Sequence, residues 1–276
     1  MHRNILIQQI KQKQSYLCVG LDTDFTKLPK HLQQNKNAII DFNKAIIDAT
    51  KDYCVSYKLN TAFYEANGSK GWEAMEETVN YIPSTHFKIA DAKRGDIGNT
   101  SSQYAKAFFE TLEFDAITVA PYMGEDSIRP FLEYENKWTI VLGLTSNKGA
   151  NDFEMQRLVS KENNAGIFLY EKVMETVSKW GTADNLMFVT GATKAGELEN
   201  IRKIIPDNFL LVPGVGFQGG SLAEVSKYGL TKDIGLLVNA SRAVIYAGDG
   251  ENFAEEAANI AQQYQTEMKQ YLTING

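Results

Sequence analysis

Cysteine is scarce: Cys18 and Cys54 are the whole supply in 276 residues. Both sit in apolar runs that read as strands. They give no disulfide framework and fit free, buried thiols in a reducing compartment. Long apolar runs are missing as well; none approaches the roughly 20 residues that span a bilayer, so no membrane segment is expected. The opening Met1-His2-Arg3-Asn4-Ile5-Leu6-Ile7 has neither an extended apolar stretch nor a small-residue cleavage site. No signal peptide is therefore expected, and the cytoplasm is the expected compartment. Excess positive charge is also missing. With 28 Lys and Arg against 34 Asp and Glu, the net charge is -6, which argues against a nucleic-acid-binding face. It leaves open a small anionic ligand, because a local basic pocket can hold a phosphate on an acidic protein. Low-complexity tracts are absent, and no repeat stands out beyond the alternation described next.

What is present is material for a large core. The hydrophobic share is 43% and the charged share 22%, values of an ordinary globular protein whose length buries a core without staples. Eight short apolar runs recur, over 15–22, 54–60, 86–93, 116–121, 138–146, 185–193, 209–216 and 234–241. Each has the length of a strand and is rich in Val, Ile, Leu or aromatics. Several are apolar at consecutive positions, as parallel strands buried on both faces are. Between them, stretches such as 38–51, 99–113 and 166–180, and 252–271 after the last run, have helical spacing and a polar face. That alternation implies parallel βαβ units. Eight of them without a linker predict an α/β fold, a (β/α)8 TIM barrel forming one domain over 1–276, close to the usual size of about 250 residues. A doubly wound open sheet explains the alternation equally well but not the count of eight. A short N-terminal helix, near 5–13, would plug the bottom. The polar insertion 147–164 lies between strand five and its helix, on the catalytic face of a barrel; it reads equally as a mobile lid and as solvated filler.

Charged residues gather at the C-terminal ends of the predicted strands, where barrel active sites are built. Asp22 closes strand one, Lys58 lies within strand two, Asp91 and Lys93 close strand three, and Arg242 follows strand eight. Any one could be a strand-end charge reaching solvent; five on one rim are harder to explain that way. Residues two apart on a strand point to one side, so Asp91 and Lys93 are expected to share a face, with Lys58 in reach from the next strand. A buried lysine flanked by carboxylates keeps its charge. A fixed ammonium between acids can stabilise a developing carbanion and then protonate it. The competing reading is a structural salt-bridge network.

The stretch Asp91-Ala92-Lys93-Arg94-Gly95-Asp96-Ile97-Gly98-Asn99-Thr100 contains Asp-x-Lys-x-x-Asp followed by Ile-Gly-Asn-Thr. It resembles the signature of orotidine 5′-phosphate decarboxylases, and its longer form resembles the longer bacterial branch (type 2) of that family. The shorter pattern is shared with sugar-phosphate decarboxylases and synthases on the same barrel, which use a divalent metal. The resemblance runs from Gly20-Leu21-Asp22 to Arg242, nearly the whole chain. It implies decarboxylation of orotidine 5′-monophosphate to UMP and CO2 in de novo pyrimidine biosynthesis, with no metal and no cofactor, and with Lys93 protonating C6 of the pyrimidine. It also implies a catalytic network of Lys58, Asp91, Lys93 and Asp96. Asp22 matches the ribose-binding position, Ser146 a residue that reads the pyrimidine edge, and Gln218 and Arg242 the phosphate grip. Asp96, Ile97 and Thr100 match positions contributed by the partner subunit of a homodimer with shared active sites. Two positions depart from the family pattern, Phe217 where a small residue is commoner and Lys148 where proline is frequent; both lie in loops and bear on loop closure.

A second motif, Pro213-Gly214-Val215-Gly216-Phe217-Gln218-Gly219-Gly220, follows the seventh predicted strand. It matches G-x-G-x-x-G, a weak pattern also found in dinucleotide folds. Its late position, and Arg242 where an acid would be expected after the next strand, reduce that reading without removing it, since an NADP-type site could use the arginine. In a barrel, the loops after strands seven and eight commonly form a phosphate site, with glycines letting backbone N–H groups approach the anion and an arginine adding a charged fork.

Overall fold

The computed structural model of the chain describes residues 1–159, 166–216 and 219–275. The eight apolar runs all become strands of one closed barrel. They are β1 (Leu17–Gly20), β2 (Ser56–Asn60), β3 (Phe87–Arg94), β4 (Ala116–Val119), β5 (Trp138–Leu144), β6 (Leu186–Thr190), β7 (Leu210–Pro213) and β8 (Leu236–Ala240). Every neighbouring pair is parallel, and β1 closes the ring by pairing with both β8 and β2. The closed ring excludes the open doubly wound sheet, and with it the fold on which a dinucleotide reading of the glycine motif would depend. The strands are buried along their length on both faces, β1, β4, β6 and β8 entirely so, which is why they are apolar at consecutive positions.

The helices form the outer ring. α2 (Ala38–Thr50) buries Ala38, Phe42, Ile46, Ile47 and Thr50, a stripe at helical spacing, and turns Asp41 outward. The predicted stretch 99–113 is a helix from Gly98 to Lys106 that widens into a π-helical turn at Ala107–Thr111. In chain order the other main helices are α1 (Arg3–Lys13), α3 (Gly68–Tyr81), α4 (Gly98–Lys106), α5 (Glu125–Leu132), α6 (Leu169–Val177), α7 (Leu198–Ile204), α8 (Leu222–Gly229) and α9 (Phe253–Asn275).

The expected N-terminal plug is present. α1 buries Leu6 and Ile10, and Arg3 donates to the carbonyls of Ala183 and Asp207, both at 2.7 Å, with its guanidinium 5.1 Å from the Phe209 ring centroid. The terminal ammonium of Met1 sits 2.7 Å from Asp115, just before β4. All of these groups lie at the N-terminal ends of the strands, opposite the charged rim. Cys18 is within β1, whereas Cys54 lies just ahead of β2, not in it; both thiols are free and buried.

The described part of the insertion after β5 is structured rather than mere filler. A 3-10 turn at Lys148–Asp152 leads into a two-stranded antiparallel ladder of Arg157–Leu158 with Ile167–Phe168. That ladder takes the first residues of the predicted stretch 166–180, so α6 starts later than expected. Residues 160–164 of the insertion lie outside the described residues. Among the described residues, no helix is long and apolar enough to cross a membrane.

Candidate active site

Four of the predicted residues form one alternating row of charge across β1, β2 and β3. Lys58 Nζ lies 3.4 Å from Asp22 Oδ1 and 2.9 Å from Asp91 Oδ2. Lys93 Nζ lies 2.5 Å from the other oxygen of Asp91. The row runs acid, base, acid, base, and the adjacency follows from the pairing: Gly20 opposes Lys58, and Asn60 opposes Asp91.

Burial is deepest at Lys58 and least at Lys93, and it sets the electrostatics. Lys58 is buried, and burial opposes its charge; the carboxylates of Asp22 and Asp91 outweigh that and hold its ammonium above the ordinary lysine range. For Asp91, burial favours the neutral acid, but Lys58 and Lys93 prevail and hold its carboxyl well below the usual range. The Lys93 side chain is 49% exposed, so the row ends in an ammonium that faces the barrel mouth and can meet a ligand there.

One expectation needs correction. Regular alternation along β3 does not put Asp91 and Lys93 on a common face. Ala90 pairs with Ile117 and Arg94 with Val119, so three residues of β3, 91–93, stand opposite Thr118 alone. The strand bulges there, and Lys93 takes φ of 47°, the left-handed region. The bulge, not the pleat, turns Lys93 back toward Asp91. It is held by Thr118, whose hydroxyl accepts from the Lys93 N–H at 2.9 Å and donates to Asp91 Oδ1 at 3.1 Å.

Asp96, Ile97 and Thr100 are placed differently. Asp96 makes no ion pair within its own chain among the described residues; its carboxylate accepts from the adjacent Ile97 N–H at 2.8 Å. Ile97 is 58% exposed, and Thr100, at the start of α4, is exposed too. Among the described residues, no ion pair joins Asp96 to Lys93.

Ser146 lies two residues past β5, against the turn that follows β6. A Cβ on Gly191 would stand 2.6 Å from the Ser146 nitrogen, so only glycine lets the two segments approach. The neighbouring Thr145 is anchored by the insertion, its N–H and hydroxyl reaching the two oxygens of Glu154 at 2.6 and 2.8 Å. After β7, Gly214 and Gly216 have φ of 97° and 75°, and Gly220 N–H returns to Gly214 O at 3.1 Å, forming a compact turn. Phe217 and Gln218, within that loop, lie outside the described residues. Arg242 opens a short helix, Arg242–Ile245, directly after β8 and is exposed. Lys148 is exposed at the start of its 3-10 turn.

Several supporting residues were not anticipated. Tyr246 donates to Asp22 O at 3.2 Å and accepts from Asp24 N–H at 2.7 Å, pinning the loop after β1. Beneath it, Tyr64 donates to Leu21 O at 2.9 Å, and Asn43 links Tyr64, Thr23 and Thr78 in a buried polar network. Asn43 sits in a helical stretch that reads as an ordinary amphipathic face, so nothing local marks it. Thr118 did leave a signal: it is a lone hydroxyl in the apolar run 116–121. As for metals, no group of three or more His, Cys, Asp or Glu among the described residues is placed to hold one.

Comparison with known proteins bears on this rim. A family profile described as Orotidine 5′-phosphate decarboxylase / HUMPS matches residues 15–257. An orotidine 5′-phosphate decarboxylase of Christiangramia forsetii is 59% identical over 266 residues, covering 95% of this chain and 96% of that protein. Its counterpart in Flavobacterium johnsoniae is 58% identical, covering 97% of each. Among solved structures, Leishmania donovani OMP decarboxylase superposes with a TM-score of 0.79 at 35% identity, covering 96% of this chain and 99% of that one. Leishmania donovani UMP synthase gives a TM-score of 0.81 at 37% identity; 95% of this chain is covered, but the chain spans only 56% of that larger protein.

Proposed function

The chain belongs to the orotidine 5′-phosphate decarboxylase / HUMPS family and converts orotidine 5′-monophosphate to UMP and CO2 in pyrimidine biosynthesis, and from that premise we propose how its own side chains carry out the reaction. The observation that carries the proposal is the row Asp22, Lys58, Asp91, Lys93, which ends in a half-exposed ammonium at the barrel mouth.

Loss of CO2 breaks the bond between the carboxylate carbon and C6 and leaves the electron pair on C6. With no cofactor to absorb that pair, stabilisation must come from charge already in place. Lys93 supplies it: its ammonium faces the developing carbanion and then gives C6 a proton, water restoring Lys93 afterwards. Asp91 holds Lys93 in position, and Lys58 keeps Asp91 ionised. Asp22 binds ribose hydroxyls, Ser146 reads the pyrimidine edge, and Arg242 with Gln218 grips the phosphate through the glycine turn after β7. Binding energy from the remote phosphate thereby serves the reacting centre.

In the same proposal, Asp96, Ile97 and Thr100 serve the site of a second copy, so that a homodimer shares its active sites; the exposure of Ile97 and Thr100 supports this. The whole chain, 1–276, acts as one barrel domain, and the protein works in the cytoplasm. The reaction proceeds without metal, because Lys58 and Lys93 already neutralise Asp22 and Asp91, the carboxylates a divalent cation would have to recruit.

The test is the loss of ultraviolet absorbance as orotidine 5′-monophosphate is decarboxylated, followed with EDTA present. Undiminished turnover is expected. Turnover abolished by EDTA and restored by a divalent cation would replace this mechanism with that of the metal-dependent barrels.

A further inference from the structure

We propose that Thr118 is a positioning residue for the proton donor, its single hydroxyl fixing both the backbone of Lys93 and the carboxylate of Asp91. The inference rests on the reading of Lys93 as that donor.

A lysine with φ of 47° occupies a region that L side chains other than Asn and Asp seldom enter, and such a conformation persists only where its surroundings over-determine it. Here they do so from two sides. On the outer side, Arg94 pairs with Glu65, donates back to Ala92 O at 3.1 Å, and lies 5.5 Å from the ring centroids of both Tyr104 and Phe108. Its carbonyl takes Ala120 N–H at 2.9 Å, which restores the β3–β4 ladder beyond the bulge. These contacts anchor the exit of the bulge without touching the reacting groups.

On the inner side stands Thr118, which is 1% exposed. Its hydroxyl has one proton. Accepting the Lys93 N–H at 2.9 Å and donating to Asp91 Oδ1 at 3.1 Å uses its capacity in a fixed orientation. The same carboxylate oxygen receives Lys93 Nζ at 2.5 Å. Lys93 is therefore tied to Asp91 twice, through its own ammonium and through its backbone by way of Thr118. A residue without a hydroxyl at 118 would take from the Lys93 N–H its partner and let the bulge relax. Lys93 would keep its charge but lose its aim, which matters most in the transition state.

Thr118→Val keeps the shape and removes the hydroxyl; Thr118→Ser keeps the hydroxyl and removes the methyl. For each variant, kcat and KM for orotidine 5′-monophosphate are measured beside the Kd for UMP, with Lys93→Ala alongside. We expect Thr118→Val to lower kcat about 10- to 100-fold, while KM and the Kd for UMP stay within about threefold, as befits an interaction realised only in the transition state. Thr118→Ser is expected to stay within about threefold of wild type in kcat. Should the valine variant not fold, Ser and Ala at this position differ by the hydroxyl alone and make the same comparison. If Lys93→Ala is inactive but removal of the hydroxyl leaves kcat unchanged, Thr118 has no positioning role. A serine variant as impaired as valine would equally overturn it, since the methyl would then be what matters. If Lys93→Ala is fully active, the proton-donor reading itself fails, and the role of Thr118 with it.

Discussion

Lys93 Nζ lies 2.5 Å from Asp91 Oδ1 because the backbone turns back on itself between the two residues, with Lys93 in the left-handed region at φ of 47°. The ion pair is thus a product of a bulge in β3, and the charged row across β1–β3 depends on that bulge for its last member. The buried member of the row, Lys58, rests on regular strand pairing with β1 and β3.

Arg242 follows β8, and its proposed role is to grip the phosphate. A charge-assisted pair contributes on the order of 1.5–3 kcal/mol, so Arg242→Ala should lower kcat/KM by at least about tenfold. Orotidine without its phosphate is the control: wild type and variant should handle it almost alike. An equal loss on both substrates would show that Arg242 does not act through the phosphate.

The shared-site proposal is tested by complementation. Lys93→Ala and Asp96→Ala proteins, each inactive alone, are unfolded together and refolded so that chains pair at random. Half of the dimers are then mixed, and in each mixed dimer one of the two sites combines an intact Lys93 with an intact Asp96, so activity should return to about a quarter of wild type per site. Inactive mixtures with heterodimers confirmed would mean that Asp96 serves its own chain or has no catalytic part.

His86, at the bottom of the barrel ahead of β3, sets a stability limit on the acid side. Its Nε2 lies 2.7 Å from Lys13 Nζ; burial first, and the lysine cation second, push its pKa down to about 4. In the unfolded chain an ordinary histidine gains a proton near pH 6.5, while the folded one does not until about pH 4. Between those values the unfolded state binds more protons, so stability falls as pH falls through that window. On moving from pH 7 to pH 5, wild type should lose about 1–2 kcal/mol more unfolding free energy than His86→Gln. Urea melts of the two proteins at both pH values check this; parallel losses would mean that His86 titrates normally in the fold.

Much of this was legible in the chain itself, for physical reasons. Parallel barrel strands are buried on both faces, so Leu17-Cys18-Val19 or Leu236-Leu237-Val238 stands out as a continuous apolar run. Run ends overreach where residues such as Ser146 and Ser241 leave the ladder for the mouth. Asp22, Lys58 and Asp91 could be grouped because they are charged residues in or just past the apolar runs of adjacent strands. The bulge was not legible, because register is a joint property of β3 and β4, and Ala92-Lys93-Arg94 carries no glycine to announce a positive φ. Nor was the Arg157–Leu158 ladder, whose residues are exposed and give no burial pattern to detect. Tyr246 reaches the Asp22 loop only because the ring closes β8 onto β1, a neighbourhood that more than two hundred intervening residues conceal.

The central claim is that the Lys93 ammonium delivers the proton to C6. Its most direct measurement is kcat of purified, folded Lys93→Ala on orotidine 5′-monophosphate, with UMP binding as the check that the site persists. The account predicts near-complete loss of turnover with UMP still bound. A variant that kept more than about a tenth of wild-type kcat, equivalent to less than roughly 1.4 kcal/mol of lost transition-state stabilisation, would contradict it.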